Sequence, residues 1–148
     1  MLGAHRELLR IIPEGSILTP HPKEFERMVG KWGDDFERLE KQIHLAREIR
    51  SVVVLKGAHT SIATPEGLVY FNCTGNPGMA TGGSGDVLTG ILTGLLGQKY
   101  SSTETAILGV YLHGLSGDLA IREKGMNSLI ASDLVDFLPM AFRDLARE

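Results

Sequence analysis

Asn76-Pro77-Gly78-Met79-Ala80-Thr81-Gly82-Gly83-Ser84-Gly85-Asp86-Val87-Leu88-Thr89-Gly90 is the stretch that decides how this 148-residue chain is read. Glycines at 78, 82, 83 and 85 remove the side chains that would keep a ligand off the backbone, and the residues from Asp86 to Leu96 predict a helix. A helix N-terminus carries unpaired N–H groups and a positive dipole end, so it stabilises an anion without a lysine nearby. Phosphate is the expected guest. No Gly-Lys-Ser/Thr closes the loop, which excludes a Walker A site, and Leu88 stands where a dinucleotide fingerprint has its third glycine. Asp86 is then a carboxylate at the mouth of an anion site, where its charge opposes phosphate unless it has a separate task. A general base facing the transferred group is such a task. The plainer alternative is an aspartate that caps its helix, with the glycines serving a tight turn.

Upstream, Ser16 to Thr19 predicts a short buried strand after a short helix over residues 3–12 that ends at Pro13-Glu14-Gly15. Pro20-His21-Pro22-Lys23-Glu24 stops the ladder and launches a helix through Met28. His21 therefore sits at the carboxyl end of a strand, the edge where open α/β sheets bind ligands. A histidine that ties down its own turn is the competing reading. Asp34 to Arg50 predicts an amphipathic helix with Phe36, Leu39, Ile43, Ala46 and Ile49 on its apolar face. Val52-Val53-Val54-Leu55 is an unbroken β-branched run, as expected of a buried parallel strand, and it delivers Lys56-Gly57 to the same edge as His21. Lys56 is either a phosphate contact or a lysine ending a strand in water. Residues 60–64 and 68–72 predict a hairpin closed by Pro65-Glu66-Gly67.

Downstream, Ser101 and Glu104 have capping-box spacing for a long, largely buried helix from about Thr103 to Ile121. Gly90, Gly94, Gly114 and Gly117 are expected to let backbones approach closely. His113 and Asp118, five apart, face different ways and are expected in separate buried polar contacts. Ala131 to Arg147 predicts a closing helix, with Ser132 as its cap and a possible kink at Pro139.

Composition narrows the class. The chain is 43% hydrophobic and 22% charged, which predicts a single globular domain, and its net charge of −3 offers neither a basic stripe for nucleic acid nor a polybasic membrane patch. The run Val87 to Leu96 is far shorter than the roughly 20 residues of a membrane span, and the first six residues lack the apolar core of a signal peptide. Cys73 is the one cysteine, expected as a small buried hydrophobe without a catalytic role, and it points to a reducing cytoplasm. No spacing of His, Cys and acids predicts a dedicated metal cage.

Asn76 to Leu88, with Thr19-Pro20-His21-Pro22-Lys23-Glu24 and Val54-Leu55-Lys56-Gly57-Ala58-His59-Thr60, closely resembles the ADP/ATP-dependent NAD(P)H-hydrate dehydratases. The resemblance covers nearly the whole chain but only the second half of a family domain. It implies the C-terminal part of a ribokinase-like three-layer αβα sandwich, with the preceding strands of the sheet absent. Lys23 stands where many relatives have glycine. The resemblance implies that Lys56, Gly57, Ala58, His59 and Thr60, together with Asn76, Pro77, Gly78, Met79, Ala80, Thr81, Gly82, Gly83, Ser84 and Gly85, contact ADP or ATP. It also implies that His21 and Asp86 contact hydrated NADH or NADPH, with Asp86 taking the hydroxyl proton and the Gly83, Ser84 and Gly85 amides forming the anion hole. Mg²⁺ would be held mainly by the nucleotide phosphates. A small-molecule kinase of the same fold and an inactive nucleotide-binding fragment are the alternatives. Two parallel strands are few for the helices they must cover, so the expectation is that this chain works with a missing N-terminal half, or a fused epimerase domain, or as a homo-oligomer through its open sheet edge.

Overall fold

The computed structural model describes residues 6–146. In chain order it contains a 3-10 helix at Arg6–Ile11, β1 (Ile17–Leu18), α1 (Pro22–Val29), α2 (Asp35–Glu48), β2 (Val52–Leu55), β3 (Ser61–Ala63) and β4 (Val69–Phe71). There follow a 3-10 turn at Pro77–Met79, α3 (Ser84–Gly97), α4 (Ser102–Lys124), a 3-10 turn at Met126–Ser128, and α5 (Ala131–Leu145). The chain divides into two compact units between Phe71 and Asn72.

The first unit is built on a four-stranded sheet in the order β1-β2-β3-β4. β1 runs parallel to β2, pairing Ile17 with Val52 and Leu18 with Val53, and the two later pairings are antiparallel. The crossover from β1 to β2 carries α1 and α2, which is the strand-helix-helix-strand order expected. All four residues of β2 are buried, which is why the segment is apolar without alternation. The hairpin forms as expected, and its turn needs Gly67 at φ +90°. Phe25, Met28, Leu45, Ala46, Ile49, Val53, Leu55 and Ala63 make the core of this unit.

Within this unit two expectations fall in detail. The first helix is a 3-10 helix from Arg6 to Ile11, and its expected start at residue 3 lies outside the described residues. On α2, Ala46 and Ile49 are buried as expected, but Phe36 is 82% exposed, and Gln42 and Leu45 complete the buried face. Hydrophobic spacing missed Gln42 because it is polar. Its amide donates to the carbonyls of Val53 at 2.8 Å and Ser61 at 3.0 Å, and its Oε1 accepts the Ser61 hydroxyl at 2.6 Å. Every polar atom is thus paired, which makes complete burial affordable.

The second unit is helical. α4 packs on α3 and α5, and Leu112, Leu119, Leu134, Phe137 and Ala141 form the core with Met79 against it. The capping box of α4 closes as predicted, with the Ser101 hydroxyl accepting from the Glu104 N–H and Glu104 accepting from the Ser101 N–H at 2.9 Å. Ser132 does not cap α5. Ile130 occupies the cap position, and the Asp133 carboxylate accepts its N–H at 3.0 Å. The helix continues through Pro139. Cys73 is exposed, contrary to expectation, because it lies in the connection after the edge strand β4 and outside the packed core.

Gly114 and Gly117 do allow close approach: a Cβ on Gly114 would fall on the Thr74 hydroxyl, and one on Gly117 on the Met79 sulfur. Gly90 and Gly94 do not, since among the described residues nothing lies within 4 Å of the space a Cβ would take. Their positions on α3 are exposed.

Candidate functional site

The glycine-rich loop ends where α3 begins. Gly83 is the cap residue at φ +89° and ψ −14°, a left-handed conformation that bends the chain into the helix and that only glycine adopts cheaply. The Asp86 and Val87 N–H groups turn back to the Gly83 carbonyl at 3.0 and 3.1 Å, and Ser84 N–H reaches Thr81 O at a long 3.4 Å. Among the described residues the N–H groups of Gly82, Gly83 and Gly85 meet no acceptor. A Cβ at Gly82 would meet nothing within 4 Å. The loop therefore offers bare peptide and unsatisfied donors beside the positive end of a 14-residue helix.

Asp86 is the third residue of α3, and its side chain is exposed. In α1 and α4 the third residue is a glutamate that reaches back to the cap residue's N–H and closes a capping box. Asp86 makes no such bond, and among the described residues its carboxylate has no hydrogen-bond or ion-pair partner. The capping explanation of this aspartate fails on geometry, leaving a favourable but non-specific interaction with the helix dipole. A carboxylate held at a helix mouth without a structural partner is available to accept a proton from a ligand.

The start of the loop is held by its own side chains. Asn76 Oδ1 accepts the Gly78 N–H at 3.1 Å, and its Nδ2 donates to Asp118 Oδ1 at 2.9 Å. Met79 packs on α4 beside Gly117. Both side chains are thus engaged within the protein, and Pro77, Ala80 and Gly82 present outward. His113 and Asp118, which sequence spacing left in unspecified polar contacts, both turn out to bind this loop. Spacing shows that they do not bind each other but gives no sign of what they do bind.

In the first unit, the sheet brings His21 and Lys56 to one edge. The Lys56 N–H donates to Pro20 O at 3.0 Å, tying the two strand exits together. Gly57 to Thr60 form a tight turn in which the Thr60 hydroxyl donates to Gly57 O at 3.2 Å, with Ala58 and His59 exposed. His21 caps α1: its Nδ1 accepts from the Lys23 and Glu24 N–H groups at 3.2 and 3.4 Å, and Glu24 accepts the His21 N–H at 2.8 Å. The turn-tying reading of His21 is therefore realised, while nearly half of its side-chain surface stays accessible. Among the described residues no group of three His, Cys, Asp or Glu could hold a metal ion, and no helix is long and apolar enough to cross a membrane.

The chain as a whole has close relatives. The chain is 52% identical over 134 residues to the bifunctional NAD(P)H-hydrate repair enzyme Nnr of Moorella thermoacetica, covering 89% of this chain and 25% of that protein. The crystal structure of the ADP/ATP-dependent NAD(P)H-hydrate dehydratase from Bacillus subtilis, co-crystallised with ATP and Mg²⁺ and soaked with CoA, superposes with a TM-score of 0.78 at 39% identity. That match covers 86% of this chain and 48% of the other. A ribokinase-like superfamily protein from Enterococcus faecalis gives a TM-score of 0.72 at 34% identity over 89% of this chain and 45% of its own. This chain thus has the α/β fold of the ribokinase-like proteins and spans about a quarter to a half of the length of these relatives. A profile of the NAD(P)H-hydrate dehydratase family matches residues 5–140, and the chain belongs to that family.

Proposed function

We propose that this chain carries the nucleotide-binding residues and the general base of an ADP- or ATP-dependent NAD(P)H-hydrate dehydratase. The observation that carries the reading is Asp86, a carboxylate without a structural partner among the described residues, set among amides that likewise meet no acceptor there at the head of α3. In the reaction, the hydroxyl oxygen of the hydrated nicotinamide ring attacks the terminal phosphorus of the nucleotide. A P–O bond to the ring forms as the P–O bond to the nucleotide breaks. Asp86 takes the hydroxyl proton, and the Gly83, Ser84 and Gly85 amides hold the charge that grows on the phosphoryl oxygens. Phosphate then leaves with its C–O bond, and loss of a proton from the adjoining carbon restores the ring double bond.

Lys56 to Thr60 and Asn76 to Gly85 are assigned to the nucleotide, and His21 to the hydrated ring through the face its cap leaves accessible. For Asn76 and Met79, whose side chains are engaged in the protein, the contact is one of backbone and shape. Bare loop peptide at a helix N-terminus fits nucleotide phosphates, and Mg²⁺ carried by those phosphates would offset their charge. The lone, exposed Cys73 supports a reducing cytoplasm as the setting. The relatives carry more chain than this one, and completion by an upstream half, a fused epimerase domain or self-association belongs to the same proposal.

Incubating hydrated NADH with ADP or ATP and Mg²⁺ tests it. Return of nicotinamide absorbance with release of phosphate supports the dehydratase. A phosphorylated product that persists would assign a kinase, and no change in a chain extended to the relatives' length would leave only nucleotide binding.

A further inference from the structure

The loop that carries the proposed phosphate site is gripped at both ends by one helix. At its entry, Asp118 of α4 accepts the Gly75 N–H at 2.8 Å through Oδ2 and the Asn76 side-chain amide at 2.9 Å through Oδ1. Both carboxylate oxygens are used, each in a bond to the loop. At its exit, His113 Nε2 lies 3.0 Å from Ser84 O and 3.3 Å from Ser84 Oγ. A carbonyl only accepts, so Nε2 carries the proton and donates. Just before the entry, the Thr74 hydroxyl donates to Tyr111 O at 2.9 Å, and Gly114 lets the Thr74 backbone lie directly on α4.

We propose that His113 and Asp118 are positioning residues for the phosphate loop, fixing its entry at Gly75-Asn76 and its exit at Ser84 so that the intervening amides converge on one anion. The inference rests on the phosphate-loop reading above. Five residues apart on a helix, the two side chains are separated by about 7.5 Å along the axis, so they hold two points of the loop without contacting each other. Neither needs to touch the nucleotide. An anion hole depends on donors held in place before the charge arrives, and a loop rich in glycine has the least rigidity of its own. α4, buried on most sides and capped at its start, is the rigid element that supplies it.

The test measures the chain and the variants Asp118→Asn, His113→Leu and His113→Gln by calorimetry with Mg·ADP, by amide hydrogen exchange over residues 75–86, and by thermal melting. Asp118→Asn replaces one acceptor by a donor that faces another donor, and His113→Gln retains an amide able to donate to Ser84 O. Asp118→Asn and His113→Leu are expected to weaken ADP binding by about tenfold, the fold-change a lost charge-assisted or buried hydrogen bond carries. The loop amides should exchange faster while those of α5 do not, and His113→Gln should recover most of the affinity. Unchanged affinity and loop exchange in both variants would overturn the inference, as would a fall in affinity matched by global loss of fold. If neither the unaltered chain nor one extended upstream to the relatives' length binds Mg·ADP, the phosphate-loop reading itself fails and the inference falls with it.

Discussion

The Nδ1 of His21 accepts the backbone N–H of Lys23 at 3.2 Å, so the side chain that follows the exit of β1 also starts α1. An accepting nitrogen carries no proton, which places the ring proton on Nε2, 3.5 Å from Glu24 Oε1. His21→Ala should lower stability by about 1 kcal/mol through loss of the cap. His21→Asn keeps a strong capping side chain and should melt with the unaltered protein. Turnover should fall in both variants because the ring is also assigned to the hydrated nicotinamide. Full turnover in His21→Asn would limit His21 to its cap.

Gly82 and Gly83 separate ligand approach from backbone strain. Gly82→Ala adds a methyl into open space, so it should leave the melting temperature unchanged and weaken ADP binding where the backbone must approach the phosphate. Gly83→Ala forces φ +89° on a residue with a Cβ, which would also lie 3.0 Å from Ala131 Cβ, and should lose about 1–2 kcal/mol of stability as well. Calorimetry and melting on the two variants read the difference. Equal affinity in Gly82→Ala would show that no ligand approaches there.

The glycines of α3 and α4 look alike in sequence and should behave oppositely. Gly114→Ala places a methyl within 2.7 Å of the Thr74 carbonyl carbon and should destabilise by about 1–3 kcal/mol. Gly94→Ala meets nothing within 4 Å and should stabilise by up to about 1 kcal/mol through helix propensity. Chemical denaturation of the two variants checks both signs.

Glu104 gives a pH signature. Hydrogen bonds from the Ser101 side chain and then the Ser101 backbone hold its carboxyl below the usual 4.5. A folded-state pKa lowered in this way adds stability that is present above the unfolded value and is lost as pH falls through the folded value. Glu104→Gln, which keeps the acceptor but not the charge, should be less stable than the unaltered protein near neutrality. The gap should close as pH falls below 4.5. A gap that widens in acid would contradict the capping assignment.

Much of this was legible from local chemistry. β2 announced itself by an unbroken β-branched run, and α4 by Ser101 and Glu104 at capping-box spacing, because those signals lie within one element. What escaped was polar and long-range. Gln42 is buried because two carbonyls and a hydroxyl from other elements satisfy it, and Phe36 is exposed although its spacing fits an apolar face. His113 and Asp118 acquire their meaning only when α4 folds onto a loop whose partner residues lie 29 and 43 positions earlier in the chain. For Asp86, the residue type and spacing suggested both a cap and a base, and the open capping geometry weighs against the first.

The role proposed for Asp86 is that of the base in a phosphoryl transfer to a hydrated nicotinamide. It is tested most directly by the return of nicotinamide absorbance from hydrated NADH with Mg·ADP or Mg·ATP, comparing Asp86→Asn with the unaltered residue in a chain extended upstream to the relatives' length. Restored absorbance is expected with the aspartate, and with asparagine a turnover lower by about 10²–10⁴ while ADP binding and melting hold. A loss of less than about tenfold, well below what a positioned base contributes, would contradict it.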